Sequence, residues 1–330
     1  VETAYVTSAG MDAGAQAHPS EPEPGGRRRT SGETVRGNPE PARSLKALTG
    51  EKPVLRGGRG TLRRIMDQPL TVPPGRDIRL ADFDPDFTEG LDRDEAEAET
   101  RRHCDALDEL AYRLFAEARR AVVVVLQGID TSGKDGTIRM LASGISPQCL
   151  DVKSFKAPSA LELSHDFLWR VHAAIPPHGT IGVFNRSHYE DVVVVRVRKL
   201  VPKDVWKDRY GQINAFEKLL HDGGLTFVKC FLHISKKEQR QRLEDRLKDP
   251  KKQWKLGPDD LADRERWDEF TKAYEDALTE CNTPHAPWHV VPADKKWYRN
   301  LVVARLVRQT LERLDPKFPK FDSSLLTKLD

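Results

Sequence analysis

The chain has 330 residues, 38% of them hydrophobic and 32% charged, with 54 basic and 51 acidic side chains for a net charge of +3. That is ample apolar material for a sizeable core, while the near balance of charge excludes a globally basic nucleic-acid-binding protein and leaves any polyanion site to a local cluster. Four scattered cysteines (Cys104, Cys149, Cys230, Cys281) without a CxxC pair argue against a zinc ribbon or a disulfide scaffold, and no apolar run approaches the length of a membrane span. The N-terminus has no signal-peptide core, so a reducing, cytoplasmic setting without nucleic-acid or membrane partners is expected.

Residues 1–75 hold 11 of the 22 glycines and 9 of the 22 prolines, and their 11 basic and 8 acidic side chains carry the entire net charge. Such a segment buries too little apolar surface to offset its chain entropy and is expected to be disordered. It reads as an upstream extension, with translation starting at Met66 or Met11. Residues 76–330 form the folded domain. The spacing of Leu107, Leu110, Ala111, Leu114 and Phe115 predicts an amphipathic helix over 93–119. The β-branched run 121–126 reads as a strand buried on both faces. Further strands are predicted over 180–184, 225–234 and 288–292. Helices are predicted over 136–143, 161–174, 205–220, 236–248, 260–279 and 298–314. The alternation, without tandem repeats, implies one α/β domain with a mostly parallel sheet.

Directly after the first strand stands Gly128-Ile-Asp130-Thr-Ser-Gly133-Lys134-Asp135-Gly136-Thr137, which fits the phosphate-loop spacing G-x-x-x-x-G-K. Its glycines allow successive backbone amides to face phosphate oxygens, the following helix offers its positive end, and Lys134 adds a mobile cation. Asp135 replaces the usual magnesium-holding Ser or Thr, and Asp130 lies inside the loop, where a carboxylate tolerates phosphate only across a metal. Magnesium is therefore expected on carboxylates, chiefly Asp130, with Thr137 recovering part of the hydroxyl function. Asp135 suits either metal binding or the helix N-terminal dipole.

The strand over 180–184 leads into Asn185-Arg186-Ser187-His188-Tyr189-Glu190-Asp191, a polar cluster at a strand's carboxyl end, where parallel sheets place their sites. Arg186 suits bidentate phosphate contact, and Glu190 and Asp191 suit magnesium. His188 and Tyr189 read as packing residues. Taken together, the two motifs resemble the polyphosphate kinase 2 family, most closely its single-domain class III subgroup. The likeness continues through Asp166-Phe-Leu-Trp169-Arg170-Val-His172, Leu232-His-Ile-Ser-Lys-Lys-Glu-Gln239-Arg240 and Val291-Pro-Ala-Asp-Lys-Lys-Trp297-Tyr298-Arg299-Asn300, and covers roughly residues 70–318.

The resemblance implies a thymidylate-kinase-like, P-loop kinase fold: a three-layer α/β sandwich around a mostly parallel sheet, with a helical lid at about 236–262. It implies reversible, magnesium- or manganese-dependent transfer of phosphoryl groups between inorganic polyphosphate and AMP, ADP or ATP, in an enzyme that is often multimeric. Asp130 and Asp191 match the family's magnesium-binding acids, with Glu190 beside them, and Lys134 and Arg186 its phosphate-binding cations. Gly128, Gly133, Gly136 and Thr137 complete the phosphate cradle. Two basic clusters offer a path for a polyanion: Arg196, Arg198, Lys199, Lys203, Lys207 and Arg209, then the segment 236–255 with Arg240, Arg242, Arg246, Lys248, Lys251, Lys252 and Lys255, of which Arg242 and Arg246 lie on one helical face. Phe155, Arg170 and Asn185 are the expected nucleotide contacts, while Trp169 is expected in the core. Two rival functions are an ATP-dependent nucleoside-monophosphate kinase and a polyanion-binding module built on Arg27, Arg28 and Arg29.

Overall fold

The computed structural model describes Val72 and residues 75–322. The expectations for the tail before residue 72, and for Met66, lie outside the described residues. Val72 is itself buried, and its amide donates to the Trp288 carbonyl.

In chain order the elements are α1 (Arg93–Glu117), β1 (Ala121–Gln127), α2 (Lys134–Ser143), β2 (Leu150–Ser154), α3 (Ala160–Leu163), α4 (Trp169–His172), β3 (Ile181–Asn185), α5 (Glu190–Val197), α6 (Lys203–Asp222), β4 (Leu225–His233), α7 (Lys236–Lys248), α8 (Pro258–Glu265), α9 (Trp267–Glu280), β5 (Trp288–Pro292) and α10 (Lys296–Leu314). The five strands form one parallel sheet in the order β2-β3-β1-β4-β5. Successive side chains of a strand point to opposite faces, so β1 feeds two apolar layers at once. Ala121, Val123 and Val125 pack toward α5, α6 and α9, while Val122, Val124 and Leu126 pack toward α1, α2 and α10. The result is the expected three-layer α/β sandwich. Because β3 and β4 flank β1, the loops leaving β1 and β3 meet in one crevice at the carboxyl edge of the sheet.

Four features depart from the periodicity. β2 was not anticipated: it is an edge strand, Leu-Asp-Val-Lys-Ser, exposed along nearly all its length, so it has no apolar alternation to read. The helix expected over 161–174 is two separate single turns, α3 and α4. The helix expected over 260–279 breaks at Arg266 into α8 and α9, and α8 starts at Pro258 in the first helical position, which favours initiation there. The valine run 192–195 lies within a helix, α5, apolar on nearly every side because it is buried on nearly every side. In α1, Leu107, Ala111 and Leu114 are buried as expected, but Phe115 is exposed. All four cysteines are free, and no helix among the described residues is long and apolar enough to cross a membrane.

Candidate active site

The loop from Gly128 to Gly133 joins the end of β1 to the start of α2. Gly133, the helix cap, has φ +106°, and a Cβ there would collide with the Arg299 guanidinium, so only glycine fits both the turn and the close approach. The loop is held from behind by two buried arginines. Arg242 of α7 donates to the carbonyls of Thr131 (2.9 Å) and Ser132 (3.1 Å) and, on its other nitrogen, to those of Ala293 and Asp294. Arg299 of α10 reaches the Ser132 carbonyl at 3.4 Å. With those carbonyls engaged by cations, the amide side of the loop is left to an anion. Arg242, expected to touch phosphate directly, thus binds the loop's own backbone; no sequence spacing announces this, because the loop carbonyls it meets, Thr131 and Ser132, are more than a hundred residues away.

Lys134 is buried and donates to the Gly128 carbonyl at 2.8 Å, with the Asp130 carboxylate 3.9 Å away. Burial pushes its ammonium below the usual lysine range, against the pull of Asp130. From the end of β3, Arg186 adopts a left-handed backbone (φ +63°) and sends its guanidinium between two acids, Asp130 at 2.7 Å and Glu190 at 3.7 Å. Burial works to raise the Asp130 carboxyl, but Arg186 and Lys134 outweigh it and hold the group below the usual carboxylate range. Glu190 goes the other way: burial raises it despite the same two cations. Gln127, with its amide oriented by its partners, donates to Glu190 Oε1 at 2.9 Å and accepts from the Ser187 amide at 3.0 Å. Asp130, Lys134, Arg186 and Glu190 therefore form one cluster.

Asp191 is not part of that cluster. Its buried carboxylate faces Arg170 (3.2 Å) and Arg209 (3.7 Å). The expected pairing of Asp130 with Asp191 is thus replaced in the geometry by Asp130 with Glu190. Consecutive residues at a helix start point about 100° apart, so only one of the two acids can face the phosphate loop. Arg170 also donates to the Lys156 carbonyl, and its guanidinium lies 5.7 Å from the Phe155 ring. Phe155 itself is buried edge-to-face against Phe184 at 5.0 Å. Trp169, expected in the core, is instead exposed and stacks on His165 at 4.2 Å. Asn185 donates to Asp135 at 3.0 Å, and Lys255 pairs with the other Asp135 oxygen at 2.7 Å. Thr137 is buried, 3.4 Å from the Gly133 carbonyl.

Most arginines of the two basic clusters are engaged with acids. Arg196 pairs with Asp276, Arg198 with Asp259 and Asp263, Arg240 with Glu244, and Arg246 lies 3.9 Å from Asp260. Asp259 and Asp263 of α8 lie about sixty residues from Arg198, so only the fold brings them to it.

Among the described residues no group of three or more His, Cys, Asp or Glu side chains forms a metal cage. Two carboxylates, Asp130 and Glu190, beside a phosphate loop are nonetheless the donor set magnesium uses when phosphate oxygens and water complete its shell.

Residues 90–319 match the profile of the family described as polyphosphate kinase 2. The chain belongs to that family. Relatives include the AMP/ADP-polyphosphate phosphotransferase of Meiothermus ruber, 49% identical over 75% of this chain and 93% of that protein. The ADP-polyphosphate phosphotransferase of Rhodopseudomonas palustris is 44% identical over 67% of this chain and 80% of that protein. The crystal structure of a polyphosphate kinase 2 from Arthrobacter aurescens TC1 superposes with a TM-score of 0.75 at 40% identity, covering 79% of this chain and 94% of that one. Membership in the polyphosphate kinase 2 family makes this protein a transferase.

Proposed function

We propose that this polyphosphate kinase transfers the terminal phosphoryl group of inorganic polyphosphate to AMP and ADP, reversibly and with magnesium. The observation that carries the reading is Arg186 between Asp130 and Glu190, beside Lys134 on the phosphate loop. The relatives' names, one of them an AMP/ADP-polyphosphate phosphotransferase, supply the substrate class.

Asp130 and Glu190 would hold magnesium, which when bound supplies charge neutralisation on the phosphate oxygens. The loop amides and Lys134 cradle the transferring phosphate. Arg186 is placed to leave its two acids for phosphate oxygens as charge builds on them, since a guanidinium fits such oxygens in bidentate fashion. No side chain is needed as general base, because the attacking group is an ionised phosphate. Segment 236–262 acts as a lid: Lys255 ties it to Asp135 in the first turn of α2, and Arg246 lies on the same segment. The enzyme is proposed to be cytoplasmic and homo-oligomeric.

The test is donor dependence. Enzyme, magnesium, AMP or ADP and long-chain polyphosphate without ATP should yield ADP and ATP. Product appearing only with ATP as donor would support the nucleoside-monophosphate kinase reading instead.

A further inference from the structure

Inside the apolar layer between the sheet and α5, α6 and α9 lies an ion pair with no exposed atom to justify it. Lys229, in the middle of β4, and Glu217, on α6, are both wholly buried. The Lys229 ammonium spends three hydrogen bonds there: on Glu217 Oε2 at 2.7 Å, on the Tyr189 hydroxyl at 2.8 Å and on the Cys281 carbonyl at 2.8 Å. The second Glu217 oxygen accepts from the Tyr189 hydroxyl at 2.8 Å and lies 3.2 Å from His188 Nε2. Trp288 packs against the Tyr189 ring at 4.7 Å and Phe216 against His188 at 6.0 Å.

A pair of this kind is a poor stabiliser. Desolvating both ions costs about as much as their attraction returns, and apolar residues of similar volume often do as well. What the pair does touch is specific. His188 and Tyr189 are the two residues between Arg186-Ser187 and Glu190, so the buried charges grip the loop that carries both halves of the Arg186–Glu190 contact. That loop needs gripping: Arg186 holds a left-handed backbone that a residue with a Cβ seldom adopts, and such conformations persist where surroundings over-determine them. Tyr189 is also the N-cap of α5, so fixing its hydroxyl sets the direction in which Glu190 leaves the helix start.

We propose that Lys229 and Glu217 are positioning residues, which through His188 and Tyr189 hold the 186–191 loop so that Arg186 stays between Asp130 and Glu190. They touch no substrate. The inference rests on the role proposed above for Arg186.

The experiment replaces the pair with an apolar one, E217L/K229M, and compares thermal midpoint, kcat, and KM for both substrates with the wild type. The expected result is a midpoint within a few degrees of wild type, a kcat lower by roughly 10- to 100-fold and KM values moved by no more than about threefold. A merely structural pair would lower the midpoint and leave kcat per folded molecule unchanged, and that result overturns the proposal, as does a folded double variant with wild-type kcat. Should the double variant not fold, Y189F decides: it removes the hydroxyl link but keeps the ion pair. A lower kcat at an unchanged midpoint supports the positioning role, and wild-type kcat refutes it. Wild-type enzyme without polyphosphate-dependent turnover would instead sink the functional reading, so the two failures are distinct.

Discussion

At the scale of single residues, the site is organised around a carboxylate that should not be there. Asp130 lies inside the phosphate loop, and Arg186 and Lys134 hold its carboxyl below the usual carboxylate range. Lys134→Ala and Asp130→Asn should each lower kcat about 100-fold or more while leaving the thermal midpoint near wild type. Steady-state kinetics with calorimetry on the same samples checks this; near-normal turnover in either folded variant contradicts the assignment. That Asp130 and Lys134 lie together was legible because a phosphate loop fixes its residues by local spacing, and Arg186 was legible from its place at the carboxyl end of a strand. The choice between Glu190 and Asp191 was not, since adjacency in sequence says nothing about which way each leaves a helix start. The burial of Phe155 and the exposure of Trp169 were not legible for a related reason: burial of an aromatic depends on distant partners, here Phe184, that no local pattern displays.

At the scale of elements, α7 does two jobs with one face. Arg242 and Arg246 are four residues apart, which suggested a shared role. Yet Arg242 is buried and bound to four backbone carbonyls, while Arg246 is partly exposed beside Asp260. The two should separate cleanly on substitution. Arg242→Ala leaves buried carbonyls without donors and should lower the thermal midpoint by at least about 5 °C. Arg246→Ala should leave the midpoint unchanged and raise KM for polyphosphate roughly tenfold, the worth of one charge-assisted contact. Equal effects of both on stability would contradict the division. Elements with strong periodicity, such as α1, β1, β4 and α10, were readable to within a few residues. β2, α5 and the break between α8 and α9 were not. Edge exposure erased the pattern in the first, burial on almost all sides erased it in the second, and the third turns on a backbone change at Arg266 that periodicity does not register.

At the scale of the whole molecule, the sheet separates two apolar layers, and buried ionisable groups in them make stability depend on pH. His289 on β5 is the clearest case: burial first, then repulsion from Arg313 and Lys229, pushes its imidazole down from 6.5 to about 4. The unfolded chain therefore takes up this proton before the folded one does. Stability from keeping His289 neutral is complete above about pH 6.5 and is lost as pH falls toward 4, to a total of roughly 3 kcal/mol. Denaturant melts of wild type and His289→Phe across that window should converge in their pH dependence above 6.5 and diverge below it, with the variant losing less. Parallel curves would show that His289 is not buried neutral.

If the arginine held between Asp130 and Glu190 serves the transferring phosphoryl group, the polyphosphate-dependent initial rate of Arg186→Lys will show it, since lysine keeps the charge but loses the planar fork that spans two acceptors. The variant should fold and its rate should fall about 100-fold. A folded variant working within a few-fold of wild type would contradict it.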